Sequence, residues 1–335
     1  MSENSKWISE GSRIENYNII YKNKIIETFL TDSQKHFIIA GKGIGKTVLL
    51  RYKRYLMEKK AIGVIFLPSS QPYIDFVDTL TKTLSSFEIK QFSKIEFCEN
   101  FWRLAIQIYI LSQISISETS LTQLKKDSYF KKTSSIFDDD FDFLLNNKRE
   151  IESVCNYLIS MSDNKLQDLF DISFLISDLF RNSIQGPIVY FFDRFDQALK
   201  HSSAEVWYSM QQGLLEAAWN IMKGNSHVKI YLSLRQEAYD AYTSINKEAM
   251  TCNISLISYT NKELTELISK LINSYEGKAS LNDFLGIDNF KNDIIHTNEP
   301  IYQFMNRYSF GRPRDFVVFC GNLSDRVGYK FDNDE

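Results

Sequence analysis

Cysteine is scarce and scattered. Cys98, Cys155, Cys252 and Cys320 form no C-x-x-C pair, and histidine is as sparse, with 4 in the chain. That spacing excludes a zinc site or a disulfide framework, so the cysteines read as buried thiols in a reducing compartment. Long apolar runs are missing too. The longest, Phe101 to Ile116, is interrupted by Arg103, Gln107 and Gln113, which excludes a membrane span. The first residues, Met1 to Trp7, lack the apolar core of a signal peptide, and a cytoplasmic protein is the expectation. Nor does charge of one sign dominate. With 39 Lys and Arg against 42 Asp and Glu, the net charge of −3 gives no global field for nucleic acid. Any nucleic-acid contact must be local. What the chain has in quantity is apolar side chain: 44% hydrophobic residues and 25 Phe over 335 residues. That is enough for a large core, in one elaborated domain plus a smaller one or in two domains.

The chain is organised around Ala40-Gly41-Lys42-Gly43-Ile44-Gly45-Lys46-Thr47, between the apolar run His36 to Ile39 and the helical pattern from Val48. This is a P-loop, G-x-x-x-x-G-K-[ST], with Ala40 at the first glycine place. A triphosphate needs several converging backbone N–H groups, a helix N-terminus and an ammonium. Gly41, Lys42, Gly43, Ile44, Gly45 and Val48 lie in the loop and first turn that would supply the first two, and Lys46 supplies the third. The Thr47 hydroxyl falls where such loops ligate Mg²⁺. A nucleoside triphosphate with Mg²⁺ is therefore expected, and ATP rather than GTP, since Asn261-Lys262-Glu263-Leu264 and Asn246-Lys247-Glu248-Ala249 lack the Asp of a guanine-reading NKxD motif.

A second stretch, Ile188-Val189-Tyr190-Phe191-Phe192-Asp193, is an apolar strand ending in Asp, the Walker B form that holds the water shell of Mg²⁺. Asp193 is the expected metal carboxylate. Val228 to Leu234 reads as another strand, which delivers Arg235 to the end that faces ligands in an open α/β sheet.

Around these motifs, Ile14 to Phe29 reads as one amphipathic helix, and Ala61 to Leu67 as a central strand buried on both faces. On the helix after the loop, Arg51, Lys53, Arg54, Lys59 and Lys60 read as a solvated basic face. From about Tyr73 to Asn182 the pattern is helical, including Phe101 to Ser115, Lys148 to Met161 and Leu166 to Phe180. That is longer than one crossover requires and reads as an insertion. The acidic tract Asp138 to Asp142 lacks calcium-loop spacing and reads as a solvated loop. Ser202-x-x-Glu205 and Thr260-x-x-Glu263 are capping boxes. Asn253 to Ser258 suggests a last strand. Ile301 to Asn322 is helical around Phe310-Gly311-Arg312-Pro313-Arg314-Asp315, which projects guanidiniums from a helix start.

The order of P-loop, hhhhDxxD, strand ending in Arg, helical lid and G-x-P-R resembles the AAA+ ATPases, in particular the initiator and helicase-loader branch and the related STAND regulators. The resemblance covers about 17–60 and 186–325. It is closest to prokaryotic ATPases of this type, many of which sit in antiphage defence. It implies a three-layer α/β sandwich with a parallel sheet of order 5-1-4-3-2, a large helical insertion and a C-terminal lid. The boundaries are then 1–72 and 183–258 for the core, 73–182 for the insertion and 259–335 for the lid. It implies that Lys46 and Thr47 bind triphosphate and Mg²⁺, that Asp193 is the Walker B carboxylate, and that Arg235 and Arg314 sit at the sensor 1 and sensor 2 positions. A homo-oligomer, or assembly with a protein effector, is the implied working state.

One departure matters. Many relatives of this type carry Glu directly after the Walker B Asp; here that place is Arg194, and the next carboxylate, Asp196, is the candidate to substitute for it, since the D-x-x-D form recurs in the regulatory branch. Slow hydrolysis and a switch, rather than a motor, follow from it. Two other readings stay open: a DNA-binding loader, and a binding module with a structural nucleotide. The loader class usually carries a winged helix after the lid, and little sequence follows Gly321 here.

Overall fold

The computed structural model describes residues 7, 14, 16–68, 74–75, 90–114, 118–128, 131, 150–193, 203–292 and 297–324. In chain order its elements begin α1 (Lys24–Thr31), β1 (Phe37–Ala40), α2 (Lys46–Glu58), β2 (Ile65–Leu67), β3 (Ile74–Asp75), α3 (Ile95–Gln113) and α4 (Glu118–Lys126). They continue with α5 (Ile151–Ser160), α6 (Asp163–Asp171), α7 (Ser173–Ser183), β4 (Ile188–Asp193), α8 (Ala204–Gly224), β5 (Val228–Arg235), α9 (Gln236–Asp240), α10 (Lys247–Met250) and β6 (Ile254–Leu256). The remaining elements are α11 (Asn261–Glu276), α12 (Leu281–Leu285), β7 (Asn289–Asn292), β8 (Thr297–Pro300), α13 (Ile301–Ser309) and α14 (Pro313–Ser324). The fold is mostly helical α/β with a parallel sheet. Among the described residues, no helix is long and apolar enough to cross a membrane. By compactness the chain divides into two units, residues 1–56 with 255–335, and residues 57–254.

In the first unit, β1 is buried at every residue and carries the chain into α2. Ile257, just past β6, donates its N–H to Ile39 O at 2.8 Å. The single helix expected over 14–29 is two pieces: a 3-10 turn at Tyr17–Ile19, then α1. Asn16 and Asn23 explain the break. Each places a side-chain oxygen where it accepts a main-chain N–H, from Asn18 at 3.1 Å and from Ile26 at 2.9 Å, so each caps a new start. The Thr260 and Glu263 capping box opens α11 as expected, with both reciprocal bonds formed. The α11 face of Leu264, Leu267, Ile268, Leu271 and Ile272 then packs with Ile301, Met305, Phe316 and Val317 in one apolar cluster.

In the second unit, β4 is buried throughout and pairs in parallel with β2 and β5, while β3 joins it near Asp193. Successive side chains on a strand face opposite ways. Tyr190 and Phe192 accordingly meet α3, with Trp102 edge-on to Phe192 at 5.5 Å and Tyr109 against Tyr190 at 5.4 Å, while Phe191 stacks on Tyr231 at 5.1 Å. Helix α3 comes from the 73–182 stretch, yet it lies directly on the strand that ends in Asp193 and packs on α8.

Three local expectations change. The run Ala61 to Leu67 yields a strand only at β2; Ile62 is 97% exposed where the chain turns at Gly63, and Ile65, the first paired residue of β2, is exposed as well. Among the described strands β2 pairs only with β4, so it is an edge strand rather than a central one, and of its three residues only Leu67 is buried. Leu166 to Phe180 is two helices, α6 and α7, joined at Ile172 with φ −94° and ψ 4°. The cap of α8 is Ser203, which accepts from the Val206 N–H at 3.3 Å, rather than Ser202. Ser202 and the acidic tract 138–142 lie outside the described residues. Of the cysteines, Cys98, Cys155 and Cys320 are buried as expected and Cys252 is exposed.

Candidate functional site

The first unit holds the P-loop. Gly43 and Gly45 sit at φ +81° and +109°, the left-handed region that the sequence pattern requires them for. Lys46 begins α2, so the loop runs into the positive end of a helix dipole. Its Nζ donates to Ala40 O at 2.8 Å and to Gly41 O at 3.0 Å, which folds the ammonium back over the start of the loop. Two carbonyls thus stand where an anion would compete for the same donors.

The G-x-P-R element reaches this loop. Arg314 donates its main-chain N–H to Gly43 O at 3.2 Å. A Cβ on Gly43 would lie 3.4 Å from the Cβ atoms of both Arg312 and Arg314, in close van der Waals contact, and the φ of +81° strains any larger residue there. Pro313 is the first residue of α14 and is buried, the position where a missing N–H costs nothing. Phe316, one turn on, stacks with Tyr302 at 5.8 Å and anchors the helix. The Arg314 residue is exposed, and Arg312 lies 5.6 Å from the Phe310 ring and 3.9 Å from Asp315.

A strap at 16–23 ties the P-loop helix to α11. Tyr17 stacks on Tyr52 at 4.8 Å, and Lys22 Nζ donates to Tyr52 Oη at 3.1 Å. On the other side Lys270 Nζ donates to Ile20 O at 2.8 Å, and Tyr21 Oη donates to Glu266 at 2.7 Å. That bond to the Glu266 carboxylate pushes the Tyr21 phenol up to about 12.

The basic face expected on α2 is not wholly solvated, because Lys53 and Arg54 are buried. Lys53 Nζ donates to Phe29 O, to Asp32 O at 2.8 Å and to Lys35 O at 3.0 Å, so its three donors satisfy the carbonyls where α1 ends and the chain turns toward β1. Burial pushes its ammonium down to about 7, partly opposed by the Asp32 carboxylate. Between pH 7 and the ordinary 10.5 the unfolded chain holds a proton that the folded chain releases. Stability therefore rises with pH across that window and is lowest below it. The stability of wild type relative to Lys53→Met is expected to climb by up to about 1.4 kcal/mol per pH unit there. Denaturant unfolding of both proteins at pH 7 and 9 checks this; a difference that does not change with pH counts against it.

The second unit holds the other motif residues. Asp193 ends β4 and is 1% exposed, and Ser233 Oγ on the adjoining β5 donates to Asp193 Oδ1. This hydroxyl fixes one carboxylate oxygen. Ser233 was not expected from the sequence; its signal is a polar residue inside the apolar run, two before Arg235 and hence on the same face of β5. Arg235 ends that strand, partly exposed, and its N–H donates to Gln211 Oε1 at 3.3 Å. Arg194 and Asp196 lie outside the described residues. Among the described residues no group of three or more His, Cys, Asp or Glu is arranged to hold a metal.

Comparison of the chain with protein-family models, with curated proteins and with solved structures finds no match.

Proposed function

We propose that this chain is an ATP-binding, slowly hydrolysing regulatory ATPase of the AAA+/STAND-like kind, working as a nucleotide-controlled assembly switch. The observation that carries the reading is the approach of two motifs far apart in sequence: Arg314 N–H bonded to Gly43 O, with Arg312 and Arg314 packed against the loop. A glycine-rich turn formed by chance has no reason to receive the first turn of a distant helix bearing two guanidiniums.

In this reading the N–H groups from Gly41 to Val48 cradle the phosphates, and Lys46 exchanges the carbonyls of Ala40 and Gly41 for phosphate oxygens. Thr47 and Asp193 serve Mg²⁺, which when bound neutralises charge on the β- and γ-oxygens. Ser233 keeps the Asp193 carboxylate in one orientation. Arg235 and Arg314 respond to the γ-phosphate and tie the helical lid to the state of the nucleotide. Arg194 stands where a water-orienting Glu would be, so hydrolysis is slow and the bound state persists. The five core strands take the order 5-1-4-3-2 in a three-layer sandwich, the chain assembles with itself and with a protein effector, and prokaryotic antiviral defence is the setting that the motif resemblance suggests.

The test is ATP turnover measured over a range of protein concentrations, beside direct measurement of ATP binding with and without Mg²⁺. A site completed by a second copy gains specific activity on assembly, so turnover per chain is expected to rise with concentration. A folded chain that binds no ATP at any concentration would overturn the reading.

A further inference from the structure

Helix α8 is largely apolar, yet four of its buried residues are polar: Ser209, Gln211, Gln212 and Glu216, at 6%, 2%, 4% and 5% exposure. The last three are bonded to the chain from the end of β5 onward. Gln211 Oε1 accepts the Arg235 N–H at 3.3 Å, and Gln212 Nε2 donates to Ala238 O at 2.9 Å. Glu216 accepts from Tyr242 Oη through one oxygen and from Asn246 Nδ2, at 2.9 Å, through the other. The partners follow one another along the chain, Arg235 at the end of β5, Ala238 in α9, and Tyr242 and Asn246 in the turn before α10, as Gln211, Gln212 and Glu216 do along α8, so the contacts run as a ladder. Lys247 closes the far end, its Nζ donating to Tyr239 O at 2.9 Å and Tyr242 O at 2.8 Å.

From this we infer that the α8 ladder sets the position of Arg235, with Gln211 as a positioning residue for it. Gln211 Nε2 donates to Trp207 O at 3.3 Å within its own helix, and a carbonyl can only accept; the amide is therefore oriented with its oxygen toward Arg235. The main chain of Arg235 is bonded at the point where its side chain leaves the strand. A buried polar ladder tolerates few alternative arrangements, since any shift of one residue strands several donors and acceptors at once. Arg235 is thereby held to one backbone position relative to α8, the next described helix after Asp193 in the chain.

The role assigned to Arg235 rests on the ATPase reading, so the experiment has two arms. The first needs no nucleotide: amide hydrogen exchange at Arg235 in wild type, Gln211→Met and Gln211→Glu. Gln211→Met is of similar size and lacks the acceptor, and exchange at Arg235 is expected to quicken about tenfold, the worth of one such bond. Gln211→Glu, whose protonated carboxyl can accept from Arg235 and donate to Trp207 O, keeps the protection. Unchanged protection of the Arg235 amide in Gln211→Met overturns the inference. The second arm is turnover in a double-mutant cycle with Arg235→Ala. Gln211→Met is expected to lower kcat about tenfold with KM unchanged, and to do nothing further once Arg235 is gone. An equal loss in both backgrounds means a structural effect and overturns the positioning role. Absence of turnover in the wild type overturns the ATPase reading instead, and the exchange arm alone then decides this one.

Discussion

Lys46→Ala is expected to lower ATP turnover by at least about 10²-fold, with a parallel loss of triphosphate affinity. The Lys46 ammonium is held at the mouth of the loop by Ala40 O and Gly41 O, two neutral acceptors. Phosphate oxygens are charged acceptors, and bonds between charged partners are about twice as strong, so the exchange of partners favours the nucleotide. Alanine removes that gain but leaves the loop geometry, which depends on the glycines. The fold is expected to survive, since the side chain's bonds to Ala40 O and Gly41 O are ordinary hydrogen bonds worth about 1 kcal/mol each in stability. Lys46→Arg separates charge from geometry. Its planar guanidinium keeps the charge but does not match a site shaped around a point ammonium, so it too is expected to fail. Phosphate release by wild type and both variants, with melting curves alongside, decides the matter: turnover unchanged in Lys46→Ala would mean that any hydrolysis observed does not occur at this loop.

The sequence makes the loop legible because its chemistry is local. Gly43 and Gly45 must reach positive φ, Lys46 must open a helix, and both requirements are written in adjacent residues. The capping box at Thr260 is legible for the same reason. Lys53 is not. Helical periodicity reads a lysine among lysines as solvated, whereas its three acceptors are carbonyls of Phe29, Asp32 and Lys35, brought to it only when α1 and β1 fold against α2. Ser233 and Gln211 escape likewise, since their partners lie on other elements. The run Ala61 to Leu67 misleads in the opposite sense: apolar residues suggest burial, but the turn at Gly63 leaves Ile62 in solvent. The contact between Gly43 and Arg314 could be expected only from the order of motifs, because no local rule links residues so distant.

Gly213→Ala is expected to destabilise the protein by about 3 kcal/mol, although glycine to alanine inside a helix ordinarily adds about 1 kcal/mol. The reason is space. A Cβ at Gly213 would lie 2.4 Å from Cys98 Cβ and 2.7 Å from both Cys98 C and Glu99 N. Two of those atoms are backbone of α3, so no side chain can turn aside, and the helices must part. Parting them disturbs much besides the contact itself. Trp102 Nε1 donates to Met210 O at 3.0 Å, Ser209 Oγ to Ser93 O at 2.7 Å and Asn220 Nδ2 to Glu99 at 3.0 Å, all across the same seam. Trp102 and Tyr109 also lose their fit to Phe192 and Tyr190 on the strand that ends in Asp193. The same substitution at Gly224, the last residue of α8 with nothing near its would-be Cβ, is the control, expected to be neutral or stabilising. Gly213→Val should go further and leave little folded protein, since its extra methyls enter space already held by the α3 backbone. The sign of the Gly213→Ala change in denaturant unfolding is the decisive reading. A loss places α3 and α8 in close contact, and so makes this part of the 73–182 stretch a structural layer behind β4; a gain would mean that the two helices do not meet there, and that the aromatic packing behind Asp193 has to be rebuilt on another basis.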